Sequence, residues 1–316
     1  MKKYILFIVC IAALAFVQST TITSRSLTKQ SLGELLFFDK ILSKDYTISC
    51  ASCHRPEYAF ADTSTASKGV GGNKGTRNTP SAMNLTLATT FFWDGRAKTL
   101  EEQALAPIEN PVEMNLTIDE AIHRLKTNDR YKQYFKEVFN SEPSKENLAA
   151  AIASYERTLE TSDSPFDNWK YSDNPTAVSE AVKRGFKIFN EKGNCIKCHF
   201  GADFTANEFR NIGLFNSKTL NDSGRSLISK NHEDVGKFKT PSLRNIAVTA
   251  PYMHNGMFQT LEKVIKFYND TEKIIPDPIN KDSLLAKPLG LTKQEMDDLK
   301  AFLISLTDKQ YKGVRK

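Results

Sequence analysis

Cys50-Ala51-Ser52-Cys53-His54 and Cys195-Ile196-Lys197-Cys198-His199 are the two stretches on which the reading of this chain turns. In each, two thiols stand three residues apart and a histidine follows at once. On one helical turn the thiols face the same way and the imidazole lies beside them. A Cys-x-x-Cys pair alone would leave zinc or thioredoxin-like redox chemistry open. The adjoining histidine in both copies points instead to covalent haem c: thioethers from the two cysteines and a proximal iron ligand from the histidine. Two haems are expected, one on Cys50, Cys53 and His54, the other on Cys195, Cys198 and His199.

The chain has 316 residues, enough for two ordinary domains, with 40% hydrophobic and 25% charged residues and a formal charge of +6. That is the composition of a soluble globular protein. The basic excess is modest and unclustered, which excludes a nucleic-acid-binding face and hints at an acidic protein partner such as an electron donor. Lys2 and Lys3 precede an apolar run from Tyr4 to Val17, so residues 1–19 read as a secretory signal cleaved after Ser19. The run is short for a membrane span, and no span is expected after cleavage. Cys10 leaves with the leader, and the other four cysteines all belong to the haem motifs, leaving none for a disulfide. Because bacteria attach haem to such motifs outside the cytoplasm, the expected location is the periplasm.

Downstream of each motif the sequence repeats itself. Thr79-Pro80-Ser81-Ala82-Met83-Asn84 is echoed by Thr240-Pro241-Ser242-Leu243-Arg244-Asn245 at an offset of 161, and the same gapless offset carries Gly95 to Gly256, Thr99 to Thr260, Leu100 to Leu261 and Glu101 to Glu262. Upstream, a Gly-x-x-aliphatic-Phe element occurs at Gly33 and at Gly185. The halves are therefore duplicates sharing one fold. Helical spacing is seen over Leu32–Phe38, from near Ser179 to Phe189, from Ile118 through Lys126 behind a Thr117…Glu120 capping box, over Lys145–Thr158, and after a Thr292…Glu295 box with an apolar face of Met296, Leu299, Phe302, Leu303 and Leu306. Few stretches alternate at period two. The fold class is mainly α: two cytochrome-c-like domains, residues 20–165 and 175–316, each with one covalent haem c, joined by the turn-rich stretch Ser162–Pro175.

The axial position opposite each proximal histidine separates electron transfer from chemistry. Besides His54 and His199 the chain has only His123, His232 and His254, and none lies between His54 and His123. That interval carries a glycine-rich loop, Gly69-Val70-Gly71-Gly72-Asn73, and one methionine, Met83, which reads as core. The first iron is expected to lack a strong distal ligand. His123 and His232 read as surface or helix residues. His254, the repeat counterpart of Trp93, reads either as a second-haem pocket residue or as a hydrogen-bonded core histidine.

The runs Phe91-Phe92-Trp93-Asp94-Gly95-Arg96, Leu100-Glu101-Glu102-Gln103, Asn110-Pro111-Val112-Glu113-Met114 and Pro251-Tyr252-Met253-His254-Asn255-Gly256 resemble the bacterial di-haem cytochrome c peroxidases, a superfamily that includes the MauG enzymes. The resemblance covers nearly the whole mature chain. It implies a peroxide-binding haem on Cys50 and Cys53 with proximal His54, and an electron-accepting haem on Cys195 and Cys198 with His199. It makes Glu113 the catalytic proton carrier, Gln103 a distal hydrogen-bonding residue and Trp93 the link between the haems. It also implies one Ca²⁺ between the domains, held by the Asn78 side chain, the backbone oxygens of Thr249 and Pro251, and waters. Without the resemblance, Glu113 would read as a solvated loop carboxylate and Phe91-Phe92-Trp93 as a buried aromatic cluster.

Two positions depart from the peroxidase pattern. Many members carry a removable histidine over the first iron; the matching residue here is Val70, so no prior reduction should be needed. The residue matching the methionine over the second haem is Tyr268, as in MauG, and the repeat places it opposite Pro107. A tyrosine oxygen favours oxidised iron. The alternatives are that Tyr268 is a half-buried helix residue and that Met253 or Met257 ligates. The implied activity is reduction of hydrogen peroxide with electrons from a small cytochrome c or copper protein. The rivals are a MauG-like oxidase acting on a partner protein or other substrate, and a di-haem electron carrier. Family members are often dimers, so a homodimer is compatible with the resemblance.

Overall fold

The computed structural model describes residues 26–161 and 163–314; the leader expected at 1–19, with Cys10, lies outside the described residues. The first half contains α1 (Lys29–Phe38), α2 (Cys50–Cys53), α3 (Leu100–Glu109), α4 (Ile118–Thr127), α5 (Asp129–Phe139) and α6 (Lys145–Glu156). The second contains α7 (Pro165–Lys170), α8 (Glu180–Asn190), α9 (Ser226–Ser229), α10 (Leu261–Asn269), α11 (Thr271–Ile274) and α12 (Lys293–Ser305). Among the described residues the only strands are β1 (Phe209–Arg210) and β2 (Phe238–Lys239), a two-stranded antiparallel pair. The mainly helical class is as expected.

In each half a helix before the haem motif packs against the last helix of that half: α1 on α6, α8 on α12. The repeated glycines mark the crossings. A Cβ on Gly33 would overlap the Ala151 carbonyl and crowd Tyr155, and one on Gly185 would overlap the Asp298 carbonyl and crowd Phe302. Glycine is required because the backbones touch. The crossings also align α6 with α12 at a shift of 147, so that Tyr155 falls on Phe302 and Glu156 on Leu303.

The duplication extends to backbone detail. Phe91 pairs with Ala97 and Tyr252 with Phe258, 161 residues on. Inside these loops Phe92 and Met253 both hold positive φ (66° and 74°), as do Gly95 and Gly256 (69° and 63°). The Gly95 N–H donates to the Phe92 carbonyl (3.2 Å), the Gly256 N–H to the Met253 carbonyl (3.0 Å). Asn84 and Asn245, the last residues of the repeated hexamers, meet at Thr161. The Thr161 hydroxyl donates to Asn84 Oδ1 (2.7 Å) and accepts from Asn245 Nδ2 (3.0 Å).

Each half has its own core. The first gathers Leu32, Leu36, Phe37, Ile108, Leu125, Phe135, Leu148 and Ile152, and takes Val248 and Tyr311 from the second half. The other is built on Phe166, Phe189, Phe204, Phe267, Phe302 and Leu306. The stretch that reads as a linker is not all turn. Ser164 and Asp167 form a capping box, Pro165 opens α7, and Phe166 is buried in the second core. Two further expectations shift. Thr117 caps α4, but Glu120 turns to Arg124 (2.9 Å) instead of closing the box. α6 ends at Glu156, two residues early, because the Thr158 N–H and hydroxyl both fold back onto the Tyr155 carbonyl. Tyr268, the half-buried helix residue of the alternative reading, lies on α10 and lines the internal cavity described next.

Candidate functional site

One connected cavity runs through both halves, lined by Cys50, Cys53 and His54 at one end and by Cys195, Cys198 and His199 at the other. At the first end the single turn of α2 sets the two thiols on one side, and the His54 N–H caps it by donating to the Cys50 carbonyl (2.9 Å). The chain then doubles back through Ala59 and Phe60, both at positive φ, bringing the Phe60 carbonyl to 3.0 Å from His54 Nδ1. The second end repeats this: His199 N–H to the Cys195 carbonyl (2.9 Å), Phe204 at positive φ, and its carbonyl 2.9 Å from His199 Nδ1. The Pro80 and Pro241 backbone also hydrogen-bonds the His54 and His199 rings respectively, so main-chain groups fix the orientation of both imidazoles. Burial keeps both imidazoles neutral, pushing His199 down to about 4 and His54 below its ordinary value.

These residues fit covalent haem. Burial pushes the Cys53 thiol up to about 11 and Cys195 up to about 12, and Cys50 and Cys198 are also raised. Such thiols are costly to ionise here, whereas a thioether carries no charge. Among the described residues no three His, Cys, Asp or Glu side chains are arranged to hold a metal ion directly. An orphaned polar atom completes the fit: Gln103 Oε1 is buried, lines the cavity and has no hydrogen-bond partner.

Glu113, Gln103, Trp93, Arg96 and Pro107 all line the cavity with His54. Glu113 sits in the turn after α3, where its N–H donates to the Asn110 carbonyl (3.0 Å) and Asn110 Nδ2 donates to its Oε1 (2.7 Å). Burial raises the Glu113 carboxyl above the ordinary glutamate value, opposed by the Arg96 charge and the Asn110 hydrogen bond. The Gly69–Asn73 loop is tucked beneath it. The Val70 N–H donates to the Glu113 carbonyl (2.8 Å), and Gly69 lies against the Val112 and Glu113 backbone where a Cβ would not fit. Val70 is buried and offers no ligating atom. Met83 lines the cavity, but its sulfur accepts from Tyr311 Oη (3.5 Å) and Asn245 Nδ2 (3.6 Å), so it serves the core.

Between the two ends, Trp93 Nε1 donates to the Asn78 carbonyl (2.8 Å) and the Asn78 N–H donates to the His254 carbonyl (2.6 Å). Asn78 Nδ2 donates to the Ser64 carbonyl (3.0 Å), and Asn78, Thr249 and Pro251 all line the cavity. The His254 ring lies flat on Phe238, centroids 3.6 Å apart and planes 10° from parallel, and burial pushes it down to about 4. Arg77 clamps this region, pairing with Asp94 (2.6 Å) and Asp222 (2.7 Å) from opposite halves. His123 and His232 lie elsewhere, partly or fully exposed.

At the second end Tyr268 and Met253 line the cavity, while Met257 is not among its lining residues. Burial raises the Tyr268 phenol, with the Cys198 and Cys195 thiols adding to the shift.

Sequence reasoning missed three cavity residues. Arg77 and Lys239 stand beside the repeated Thr-Pro-Ser blocks and carry no motif. Glu156 is a carboxyl at a helix position whose counterpart is Leu303, and comparing the halves along α6 and α12 would have exposed it.

The family model described as di-haem cytochrome c peroxidase matches residues 28–175, and that for cytochrome c matches residues 182–307. The methylamine utilization protein MauG of Methylorubrum extorquens is 39% identical over 282 residues, covering 88% of this chain and 78% of that protein. The cytochrome c peroxidase Ccp of Escherichia coli is 38% identical over 284 residues, covering 88% of this chain and 58% of that protein. The cytochrome c551 peroxidase of Pseudomonas aeruginosa is 34% identical over 303 residues, 93% and 83% of the two chains. Among solved structures, a MauG-like protein associated with microbial copper homeostasis superposes with a TM-score of 0.81 at 33% identity, covering 89% of each chain. Among the described residues no helix is long and apolar enough to cross a membrane.

Proposed function

The chain belongs to the di-haem cytochrome c peroxidase family, and from that premise we propose that it reduces hydrogen peroxide at the end of the cavity marked by His54, without prior reductive activation. The observation that carries the proposal is that Glu113, Gln103 and His54 line one cavity while Met83 is engaged elsewhere, and the family resemblance matches Val70 to the removable histidine.

Cys50, Cys53 and His54 would hold one haem, and Cys195, Cys198 and His199 the other, with Tyr268 over the second. When bound, these groups supply the electrons and the iron for cleaving the O–O bond. The protein's part is proton handling. Glu113 takes the proton from one peroxide oxygen and gives it to the other, which leaves as water. Its raised, burial-driven basicity suits a group that must both accept and return a proton. Gln103 Oε1, the unpartnered acceptor, orients peroxide by accepting from its O–H. Trp93 lies between the two ends, fixed through Asn78 to His254, and is assigned the electron link.

The same proposal includes a leader at 1–19 and a periplasmic location, and an N-terminal peroxidatic unit (20–165) with a C-terminal electron-accepting unit (175–316). It also includes Ca²⁺ on Asn78, Thr249 and Pro251, a small cytochrome c or copper protein as donor, and a homodimer. A second reading, a MauG-like oxidase of a partner protein, is favoured by Tyr268 together with Val70. Steady-state peroxide consumption with a reduced small cytochrome separates them. Sustained turnover supports the peroxidase, and rapid reaction with peroxide but negligible turnover supports the oxidase.

A further inference from the structure

Glu156 takes no part in the account above, and its surroundings are unusual. It is 4% exposed on α6, lines the cavity, and its Oε2 has no hydrogen-bond partner. The second half places Leu303 at the equivalent turn of α12, also lining the cavity. The fold thus accepts an apolar residue there, and the carboxyl is not needed for packing.

Few charges face it. Arg157, next on the same helix, is turned to Glu101 of α3 (2.7 Å). From α2 comes Cys50, which feels the Glu156 charge and becomes a neutral thioether on haem attachment. α1 brings Glu34, which acts on Tyr155. On Glu156 the Arg157 charge and the Glu101 charge act in opposite directions, both behind burial. With little to offset its burial, Glu156 is pushed up to about 8 and holds a proton at neutral pH.

We propose that Glu156 is the proton partner of the first haem: at alkaline pH, where the carboxyl is ionised while the site is oxidised, one proton moves from water to Glu156 Oε2 as one electron reaches that site, and both leave together on oxidation. A carboxylate beside the group stabilises the oxidised, more positive iron, and the neutral acid does not. The electron comes from the reductant that serves turnover, and the proton from solvent water. This linkage rests only on a haem held by Cys50 and Cys53. It is independent of whether Glu113 moves the peroxide proton and of whether the natural substrate is peroxide alone.

The test is a spectroelectrochemical titration of the haem-loaded protein at pH values on either side of about 8, with wild type, Glu156→Gln and Glu156→Leu. Leucine is the residue the second half uses, so that variant tests the charge without disturbing the packing. In wild type the first haem's reduction equilibrium should be flat at low pH and then shift toward the oxidised form, approaching tenfold per pH unit, about 59 mV for one electron. Both variants should lose this slope while the second haem is unchanged. The infrared difference spectrum on reduction at alkaline pH should show a gained carboxylic-acid C=O band that is absent in both variants. An equal slope in all three proteins, or a flat wild type, overturns the proposal.

Discussion

The Trp93 indole and the His254 backbone, counterparts across the internal repeat, are joined through a single residue: Trp93 Nε1 donates to the Asn78 carbonyl at 2.8 Å and the Asn78 N–H donates to the His254 carbonyl at 2.6 Å. The duplication has thus placed two equivalent loops face to face at the seam between the halves. Phe92 and Met253, each just before one of the pair, both hold positive φ. Each occupies backbone space unfavourable to a bulky side chain, held by a turn hydrogen bond from the following glycine.

If Trp93 carries electrons between the two ends, Trp93→Phe should keep the aromatic volume but lose the anchoring hydrogen bond and the more easily oxidised indole. The expected result is at least a tenfold slower exchange of oxidising equivalents between the haems after peroxide addition, read by rapid-mixing absorbance. Protein stability should fall by no more than about 1–1.5 kcal/mol for one hydrogen bond.

Glu113→Gln removes the proton carrier without changing shape. The rate of reaction with peroxide should fall by about 10²–10⁴, in stopped-flow measurements at fixed peroxide. Because burial raises the Glu113 carboxyl, its basic form is lost as pH falls through a value above the ordinary glutamate range. Wild type should therefore lose rate on the acid side at a higher pH than a solvent-exposed glutamate would give, and the variant should lack that limb.

Tyr268→Met should raise the reduction potential of the second haem, by an amount within the roughly 0.8 V range open to axial ligand changes. An unchanged potential in redox titration would move the ligand assignment to Met253, the other candidate lining that end of the cavity.

Gly33→Ala and Gly185→Ala each force a Cβ into a backbone carbonyl at a helix crossing. Each should destabilise the protein by about 1–3 kcal/mol or more, as overpacking does, seen as a lower Tm of the haem-loaded protein. Gly75→Ala, with open space at its Cβ position, is the control and should be nearly neutral.

Much of this was legible in the sequence because its signals are local. The Cys-x-x-Cys-His runs, the Thr292 capping box and the gapless repeat depend on near neighbours or on exact offsets. They imply two similar, mainly helical halves; which helices cross, α1 on α6 and α8 on α12, came only with the structure. The missed features depend on contacts between distant segments. α7 hides in a turn-rich stretch because Phe166 finds its core only after folding. The Arg77 clamp needs Asp94 and Asp222 from two halves. Glu156 is noteworthy only once α6 is laid on α12. The roles of Glu113 and Gln103 rested on family resemblance, since a loop carboxylate and a helix amide carry no chemical signal alone. The structure adds a raised carboxyl and an orphaned oxygen, both lining the same cavity.

The most direct measurement is the electron paramagnetic resonance and visible spectrum of the ferric, haem-loaded protein as isolated, before and after one equivalent of peroxide. The account predicts one five-coordinate high-spin haem and one six-coordinate low-spin haem, with the high-spin signal consumed by peroxide without prior reduction. Two six-coordinate low-spin haems, unresponsive to peroxide, would contradict it and leave the molecule an electron carrier.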